Sequence, residues 1–329
     1  MRTPTPSAVS QFAKKIFTRT VILAIATITI FLTSDLAAPQ AASAYPFWAQ
    51  ATAPETPREA TGRLVCANCH LAEKPTEIEI PQAVLPDTVF EAVVKIPYDL
   101  DTLELYGDNA TEGPLMVGAV LMLPDGFQIA PEDRIPEEMK EELGGLYFQE
   151  YVNGESNVVI VGPLPGDQFQ EIVFPILSPD PRTDSSIHFG KYQVHVGGNR
   201  GRGQIYPTGD PSNNNPVSAE FEGVITAIGT SETGDYEVSI NTGEETVIQT
   251  VPAIFKLIAS VGQEIVVGED LTNDPNVGGF GQKDAEIVLQ SPARIGGLIV
   301  FIGGIMLAQI LLVIKKKQVE VVQAAEMEF

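Results

Sequence analysis

An uncharged run of twenty residues near the C-terminus, 295–314, constrains the architecture of this chain most strongly. At about 1.5 Å per residue, a helix over this run is about 30 Å long, which matches the hydrocarbon thickness of a bilayer. Three lysines follow directly, as is typical of the cytoplasmic side of a membrane helix. The sequence therefore predicts one transmembrane helix over 295–314 and a short cytoplasmic-side tail over 315–329, with nothing after Gln318 long enough to fold.

The first 44 residues carry the three parts of a secretory signal peptide. Basic residues precede an apolar run over 20–32, and Ala-Ser-Ala at 42–44 is a small-x-small cleavage sequence. The apolar run is shorter than the ~20 residues that a membrane span requires. We therefore expect residues 1–44 to be removed, so that the mature chain begins at Tyr45 and its main part is exported.

The exported part, 45–294, is strongly acidic, with 13 basic and 39 acidic residues and a net charge of −26. Nucleic-acid binding requires a basic surface that neutralises phosphates. The composition therefore excludes nucleic acid as a partner, although it does not say what the protein binds.

Beyond Pro75 the pattern is that of a mainly β protein. Short β-rich segments alternate with clusters of Pro, Gly, Asn and Asp, and they lie at 88–96, 116–123, 157–162, 171–177 and 191–197. This spacing predicts a large β-sandwich, interrupted by one solvated surface helix over 136–145.

A second β unit follows the polar loop at 208–216. Four more strand-like segments predict a small β domain over 213–275. A strand within 274–290 that returns to the large sheet would make this small domain an insertion. The large domain then consists of 45–212 plus 276–291, with short helices near its N-terminus.

Both cysteines lie in one motif, Cys66-x-x-Cys69-His70. A capping box at 56–59 predicts a helix that runs through Leu64 to His70. On such a helix the spacing i, i+3, i+4 places the two thiols and the imidazole on one face.

Four kinds of site compete for this motif. A disulfide is plausible because exported cysteines are oxidised. A thioredoxin-like redox motif needs a βαβ context, which the pattern lacks, and structural zinc needs four ligands. The fourth is c-type haem attachment, since two thiols one turn apart can bond the two vinyl groups of a porphyrin while the next imidazole reaches the iron. Export favours the haem interpretation.

A six-coordinate haem needs a second axial ligand, for which methionine or histidine is usual. No candidate stands out: His188 lies in a loop, His195 is on the outward face of a strand, and Met116 and Met122 suit core packing. An electron carrier, an exported haem enzyme or gas sensor with an open iron site, and a haem-free adhesion module therefore stay open as functions.

Several motifs together resemble the cytochrome f family, the haem subunit of the photosynthetic cytochrome bf complex. They are Tyr45-Pro46, CANCH at 66–70, GGNRGRGQIYP at 197–207, PNVGGFGQ at 275–282 and the C-terminal membrane helix. The resemblance covers essentially the whole mature chain. It implies one haem c, bound covalently through Cys66 and Cys69.

The resemblance also implies a role for further residues. His70 would be one axial ligand and the free α-amino group of Tyr45 the other, so that signal cleavage creates a ligand. Trp48 would pack near the haem edge. An internal chain of ordered waters would be lined by Asn199, Gln204, Asn214 and Asn276, although each is also a typical turn residue.

The implied function is electron transfer rather than catalysis by the chain alone. The chain would pass single electrons from the Rieske iron-sulfur protein to plastocyanin or a soluble c-type cytochrome. It would do so beside the cytochrome b subunit, in a plastoquinol-plastocyanin reductase of the thylakoid membrane, with the haem domain in the lumen. Plant relatives carry a lysine-rich patch on the small domain, whereas residues 213–275 hold eleven acids and only Lys256. This departure fits a cyanobacterial type.

Overall fold

The computed structural model describes residues 46–107 and 111–327, so the predicted signal peptide and Tyr45 lie outside the described residues. The described chain is mainly β, as the sequence predicts. Its strands are β1 (Glu77–Glu79), β2 (Ala83–Val84), β3 (Val89–Lys95), β4 (Leu103–Leu105), β5 (Glu112–Pro114), β6 (Met116–Met122), β7 (Gln128–Ile129), β8 (Gln149–Val152), β9 (Glu155–Pro165), β10 (Glu171–Leu177), β11 (Gly190–Arg200), β12 (Gly223–Thr230), β13 (Tyr236–Asn241), β14 (Thr246–Val251), β15 (Glu264–Ile265) and β16 (Gly279–Leu289). Its α-helices are α1 (Phe47–Thr52), α2 (Glu137–Leu143) and α3 (Pro292–Met327).

Two sheets face each other across the main core. One has the strand order β1-β3-β10-β7, and the other has the order β2-β16-β11-β6-β9-β8. Side chains from both sheets form a single buried cluster, which includes Ala92, Phe174, Leu121 and Val194. Burial of this apolar surface, at about 25 cal/mol per Å², stabilises the predicted β-sandwich.

The middle of the six-stranded sheet is buried on both faces. Every central residue of β6 and the last five residues of β11 are buried. A second cluster, which includes Leu64 and Phe280, covers the outer face. Helix α1 is held on this face because Gln50 Nε2 donates to the carbonyl oxygen of Tyr151 at 2.6 Å. The N-terminal segment therefore lies against the outer face of the six-stranded sheet.

A third sheet, with the order β14-β13-β12-β15, has its own core around Ile225 and Ile240. Its strands lie between β11 and β16 in the sequence, and β16 pairs antiparallel with β11 along its whole length. The predicted return strand is thus confirmed, while the boundaries of the small domain, 213–275, stay a prediction.

Helix α2 lies where the sequence predicts a solvated helix, but one of its faces is buried. Met139 and Leu143 are 5% and 8% exposed. These residues are one turn apart, so they form an apolar stripe that packs on the body of the protein.

Helix α3 contains the predicted span and is longer than predicted. It continues to Met327, so the expectation that nothing folds after Gln318 is wrong. Residues 315–327 contain no Gly or Pro and are rich in helix-forming residues. Lys316 and Glu320 also pair one turn apart at 3.7 Å. By length and composition α3 can cross a membrane.

Candidate functional site

A cleft that is open to solvent lies between α1, the cysteine motif and the loop that follows β11. Five of the predicted site residues line it together with Pro46, and they are Trp48, Cys66, Cys69, His70 and Asn199. The fold therefore gathers side chains that are more than 150 positions apart in the sequence. Such a concave, mostly apolar cleft is typical of a cofactor site.

The cysteine motif forms one tight turn and not the end of a long helix. The predicted helix through Leu64 to His70 is wrong, because only Val65–Asn68 is helical and it is a 3-10 helix. The N–H groups of Cys69 and His70 both donate to the carbonyl oxygen of Cys66, at 3.2 and 3.0 Å. One turn is nevertheless enough to bring the three side chains to the same cleft.

Long-range contacts explain why the longer helix does not form. The Leu64 N–H donates to Gln282 Oε1 on β16 at 2.9 Å, and the Val65 N–H donates to the carbonyl oxygen of Pro57 at 2.8 Å. The hydroxyl of Thr56 accepts the N–H of Arg58 in a local turn. These contacts satisfy backbone groups that a helix would otherwise use, so tertiary context overrides local propensity.

His70 is buried and electrically neutral. His70 is 5% exposed, and its Nδ1 atom has no hydrogen-bond partner among the described residues. Burial, with a smaller contribution from the positive charge of Arg200, lowers the pKa of His70 to about 4. A neutral imidazole is the form that binds iron.

Cys66 and Cys69 are free thiols that reach the same cleft. Burial raises the pKa of the Cys66 thiol to about 12 and raises the pKa of Cys69 as well. Both side chains are therefore protonated at neutral pH. The described residues contain no group of three His, Cys, Asp or Glu side chains placed to hold a bare metal ion.

Pro46 and Trp48 line the same cleft as the cysteine motif. The rings of Trp48 and Phe47 contact each other at a tilt of 36°, with centroids 4.8 Å apart. Pro46 packs closely against Gly118, since a Cβ added at Gly118 would lie only 2.8 Å from Pro46 Cγ. The position of Tyr45, the predicted second axial ligand, lies outside the described residues.

The structure brings three of the four predicted water-chain residues near the cleft. Asn199 lines it, and Gln204 and Asn214 are 4% and 3% exposed. The side-chain nitrogens of Gln204 and Asn214 both donate to the carbonyl oxygen of Arg202 at 3.0 Å. Asn276 instead closes a local turn, in which its Oδ1 accepts the N–H of Gly278 at 3.0 Å.

Sequence reasoning missed three buried charged residues beside the site. Arg200, Arg202 and Glu104 are 1%, 3% and 2% exposed. Charged residues are seldom buried to this degree, so each has a structural or functional reason. The arginines lie in the quoted GGNRGRGQIYP motif, which signals a special loop, whereas no sequence signal marks Glu104.

The residues present fit a covalently held haem. Two free thiols, a buried neutral imidazole and apolar walls surround one cleft, and the backbone approaches closely at Gly203. A Cβ at Gly203 would lie 3.2 Å from the carbonyl oxygen of Cys69, so a larger residue would require a small shift of the backbone there. The fold and the site together define a class of protein: a β-rich c-type cytochrome with a C-terminal membrane helix.

The comparisons with known proteins identify the family within this class. Residues 45–201 match the family model described as apocytochrome F, N-terminal, and residues 213–329 match apocytochrome F, C-terminal. The cytochrome f of Rippkaea orientalis is 66% identical and that of Microcystis aeruginosa 64% identical, each over 100% of both chains. The cytochrome f of a Synechocystis species is 64% identical over 94% of both chains. The chain therefore belongs to the cytochrome f family.

Membership has direct consequences. The family implies a c-type haem, a role in photosynthetic electron transport and a place in the cytochrome bf complex. The chain is an electron-transfer subunit and not an enzyme on its own. Helix α3 fits a single-pass membrane protein.

Proposed function

We propose that this chain carries single electrons from the Rieske iron-sulfur protein to plastocyanin or a soluble c-type cytochrome. It works beside the cytochrome b subunit, in a complex that oxidises plastoquinol and reduces plastocyanin. The observation that carries the proposal is the buried, neutral imidazole of His70, which shares one cleft with both cysteine side chains. These groups suit a haem that is held firmly and exchanges electrons without binding a substrate.

Each residue of the motif has a separate task. Cys66 and Cys69 would hold one haem c covalently, through one thioether each. His70 would bind the iron through its imidazole, and backbone hydrogen bonds from the N–H groups of Cys69 and His70 to Cys66 hold the turn that carries it. Trp48 and Pro46 line the same cleft and would limit access of water to the haem. When bound, the haem supplies a one-electron couple, and ligands and burial set its potential.

The α-amino group of Tyr45 would be the second protein ligand of the haem iron. This residue directly precedes Pro46, which lines the cleft together with His70. An α-amino group has a pKa of about 7.7–8.0, so it can lose its proton and coordinate. Signal cleavage would then complete the iron site.

Insertion of one alanine before Tyr45 tests this ligand. We expect the extended chain to show an altered ligand-field spectrum, because its amino terminus is displaced. Tyr45→Phe keeps the α-amino group and is the matched control, with an unchanged spectrum. A native spectrum in the extended chain would contradict the assignment of the Tyr45 α-amino group as a ligand.

His70 Nδ1 supports the internal water chain. A metal-bound histidine ordinarily donates its second N–H to a carboxylate, a carbonyl or water. Nδ1 has no partner among the described residues, so an ordered water is the natural acceptor. Asn199, Gln204 and Asn214 are the buried amides that would continue the chain, with Asn276 at a more exposed position.

The topology follows from the signal peptide and α3. Cleavage after residue 44 and one C-terminal span support a haem domain in the thylakoid lumen, tethered to the membrane. Electron transfer is tested with the full chain in detergent. Reduced Rieske protein should reduce it, and oxidised plastocyanin should then oxidise it, each in a second-order reaction. A matured chain that exchanges electrons with neither protein would contradict the proposal.

A further inference from the structure

A carboxyl group is buried next to the site and has one oxygen without a partner. Glu104 lies in the middle of β4 and is 2% exposed. Its Oε1 accepts the N–H of Met116 at 2.8 Å. Its Oε2 has no hydrogen-bond partner among the described residues, and a Cβ added at Gly201 would lie 3.2 Å from it. Burying an ionised carboxylate with a vacant acceptor is unfavourable, so the protonated form is stabilised.

The groups around Glu104 decide how its charge is balanced. Tyr98 and Tyr106 flank β4, and burial, with smaller contributions from the negative charges of Glu104 and Asp167, raises the pKa of both tyrosines. Arg202 supplies the positive charge that acts on the carboxyl, although its guanidinium donates to the carbonyl oxygens of Leu105 and Tyr106. Burial outweighs the hydrogen bonds and this arginine, and it raises the pKa of Glu104 to about 7. The group therefore changes charge near neutral pH.

One residue, Arg202, connects Glu104 to the cleft through its two flanking peptide groups. The backbone N–H of Arg202 donates to the Glu104 carboxyl, while its carbonyl oxygen accepts Gln204 Nε2 at 3.0 Å. Gln204 Oε1 in turn accepts the N–H of Leu71 at 3.0 Å, and Leu71 directly follows His70. A buried, hydrogen-bonded path of low dielectric thus joins the carboxyl to the ligand segment, where charge interactions are screened less than at the surface.

We propose that Glu104 is a proton-exchanging residue whose ionisation is coupled to the oxidation state of the haem site. This inference rests on the proposed electron-transfer function. On reduction the site gains one electron from the donor protein, and Glu104 takes one proton from solvent water to become neutral. On oxidation the electron leaves to the acceptor, and the proton returns to water. Glu104 is a tuning residue and touches neither electron-transfer partner.

The sign of the coupling follows from charge. The oxidised site carries one more positive charge than the reduced site, so it favours the ionised carboxylate. Linkage is reciprocal, so an ionised Glu104 must favour the oxidised state by the same free energy. The midpoint potential should therefore fall as the pH rises through the range in which Glu104 ionises, near neutrality.

Redox titration of the full chain at a series of pH values tests the inference. We expect the wild-type midpoint potential to shift downward as the pH rises from about 5 to 9, with the steepest change near 7. Glu104→Gln should remove this shift, whereas Glu112→Gln, an exposed substitution on the paired strand β5, should keep it. An equal shift in Glu104→Gln, or a flat wild-type profile, would overturn the inference.

A second readout needs only the wild-type chain, in case Glu104→Gln does not fold. The reduced-minus-oxidised infrared spectrum near pH 7 should gain a protonated-carboxyl band that moves in heavy water. A reversible haem couple without this band would overturn the role of Glu104 and leave the electron carrier intact. A chain with no reversible haem couple would overturn the proposed function itself, and the inference with it.

Discussion

The ring of Pro46 packs directly against the backbone of Gly118. A Cβ built on Gly118 would lie 2.8 Å from Pro46 Cγ and 2.9 Å from Asn199 Oδ1. Gly162, with φ at +113°, approaches the same proline, since its Cβ would lie 3.5 Å from Pro46 Cγ. Two glycines on the six-stranded sheet thus form the seat of the N-terminal segment, which brings Pro46 to the cleft.

Gly118→Ala should displace that segment. The added methyl group has to move either Pro46 or Asn199, so we expect a loss of about 1–3 kcal/mol in unfolding free energy and a perturbed haem spectrum. Thermal unfolding and optical spectroscopy measure the two effects. Gly190→Ala is the control, because no atom lies within 4 Å of its Cβ position. Native spectra and stability in Gly118→Ala would show that the seat is unimportant.

Only one of the three histidines should be needed for the iron site. We expect His70→Gln to lose the native low-spin spectrum, because the buried imidazole is removed. His188→Gln changes an exposed loop residue and should leave the spectrum unchanged. Spectra of the two purified variants, with haem staining after denaturation to check the Cys66 and Cys69 thioethers, decide the point. A native spectrum for His70→Gln would contradict the assignment of the axial ligand.

The acidic surface should control which acceptor reacts quickly. Residues 213–275 carry a net charge of −10, from eleven acids and Lys256. We expect an acceptor that is basic or near neutral, or one whose docking is led by apolar contact. The second-order rate at which it oxidises the chain should fall or hardly change as salt rises. Stopped-flow kinetics at several ionic strengths measure this rate.

The exposed turn between β13 and β14 offers a matched variant for the salt experiment. With a basic acceptor, Glu244→Gln with Glu245→Gln should slow the reaction at low salt and match the wild type at high salt. A wild-type rate that climbs strongly as salt is added would mean repulsion, and it would count against a basic partner.

Glu104 should also make stability depend on pH. Its pKa in the folded protein is about 7, above the ordinary value of 4.5, so the folded state binds this proton more tightly than the unfolded state. The associated stability is fully present below pH 4.5 and is lost as the pH rises through 7, at up to about 1.4 kcal/mol per pH unit.

Chemical denaturation between pH 4.5 and 7.5 measures this effect. The wild type should lose stability relative to Glu104→Gln as the pH rises, and Glu112→Gln should follow the wild type. Parallel pH profiles for the wild type and Glu104→Gln would mean that the carboxyl has an ordinary pKa in the folded state.

The sequence predicted the strands well because the signals for a strand lie within it and in the turns next to it. The segment 171–177 is β10 residue for residue, since β-rich composition and flanking turns set both ends. The cysteine motif could be recognised from the sequence because the Cys-x-x-Cys-His spacing alone is the signature of haem attachment. The helix through Leu64 to His70 failed because contacts with β16, more than 200 positions away, take its backbone groups.

Buried charge was invisible in the sequence for a related reason. Glu104 is buried by strands and loops that meet only in the fold, and its partner Met116 belongs to another strand. Arg200 likewise donates to the carbonyl oxygen of Pro75, 125 positions away. Composition therefore predicts exposed charges at such positions, and only tertiary structure reveals the exceptions.

The optical spectrum of the matured full chain, reduced and then exposed to carbon monoxide, tests the central claim most directly. We expect a sharp c-type α-band that carbon monoxide leaves unchanged, because the proposed ligands, His70 and the Tyr45 amino group, would leave no iron position open. A band that shifts on adding carbon monoxide would reveal an open iron position and favour a haem enzyme or gas sensor. The absence of any haem band after c-type maturation would contradict the account altogether.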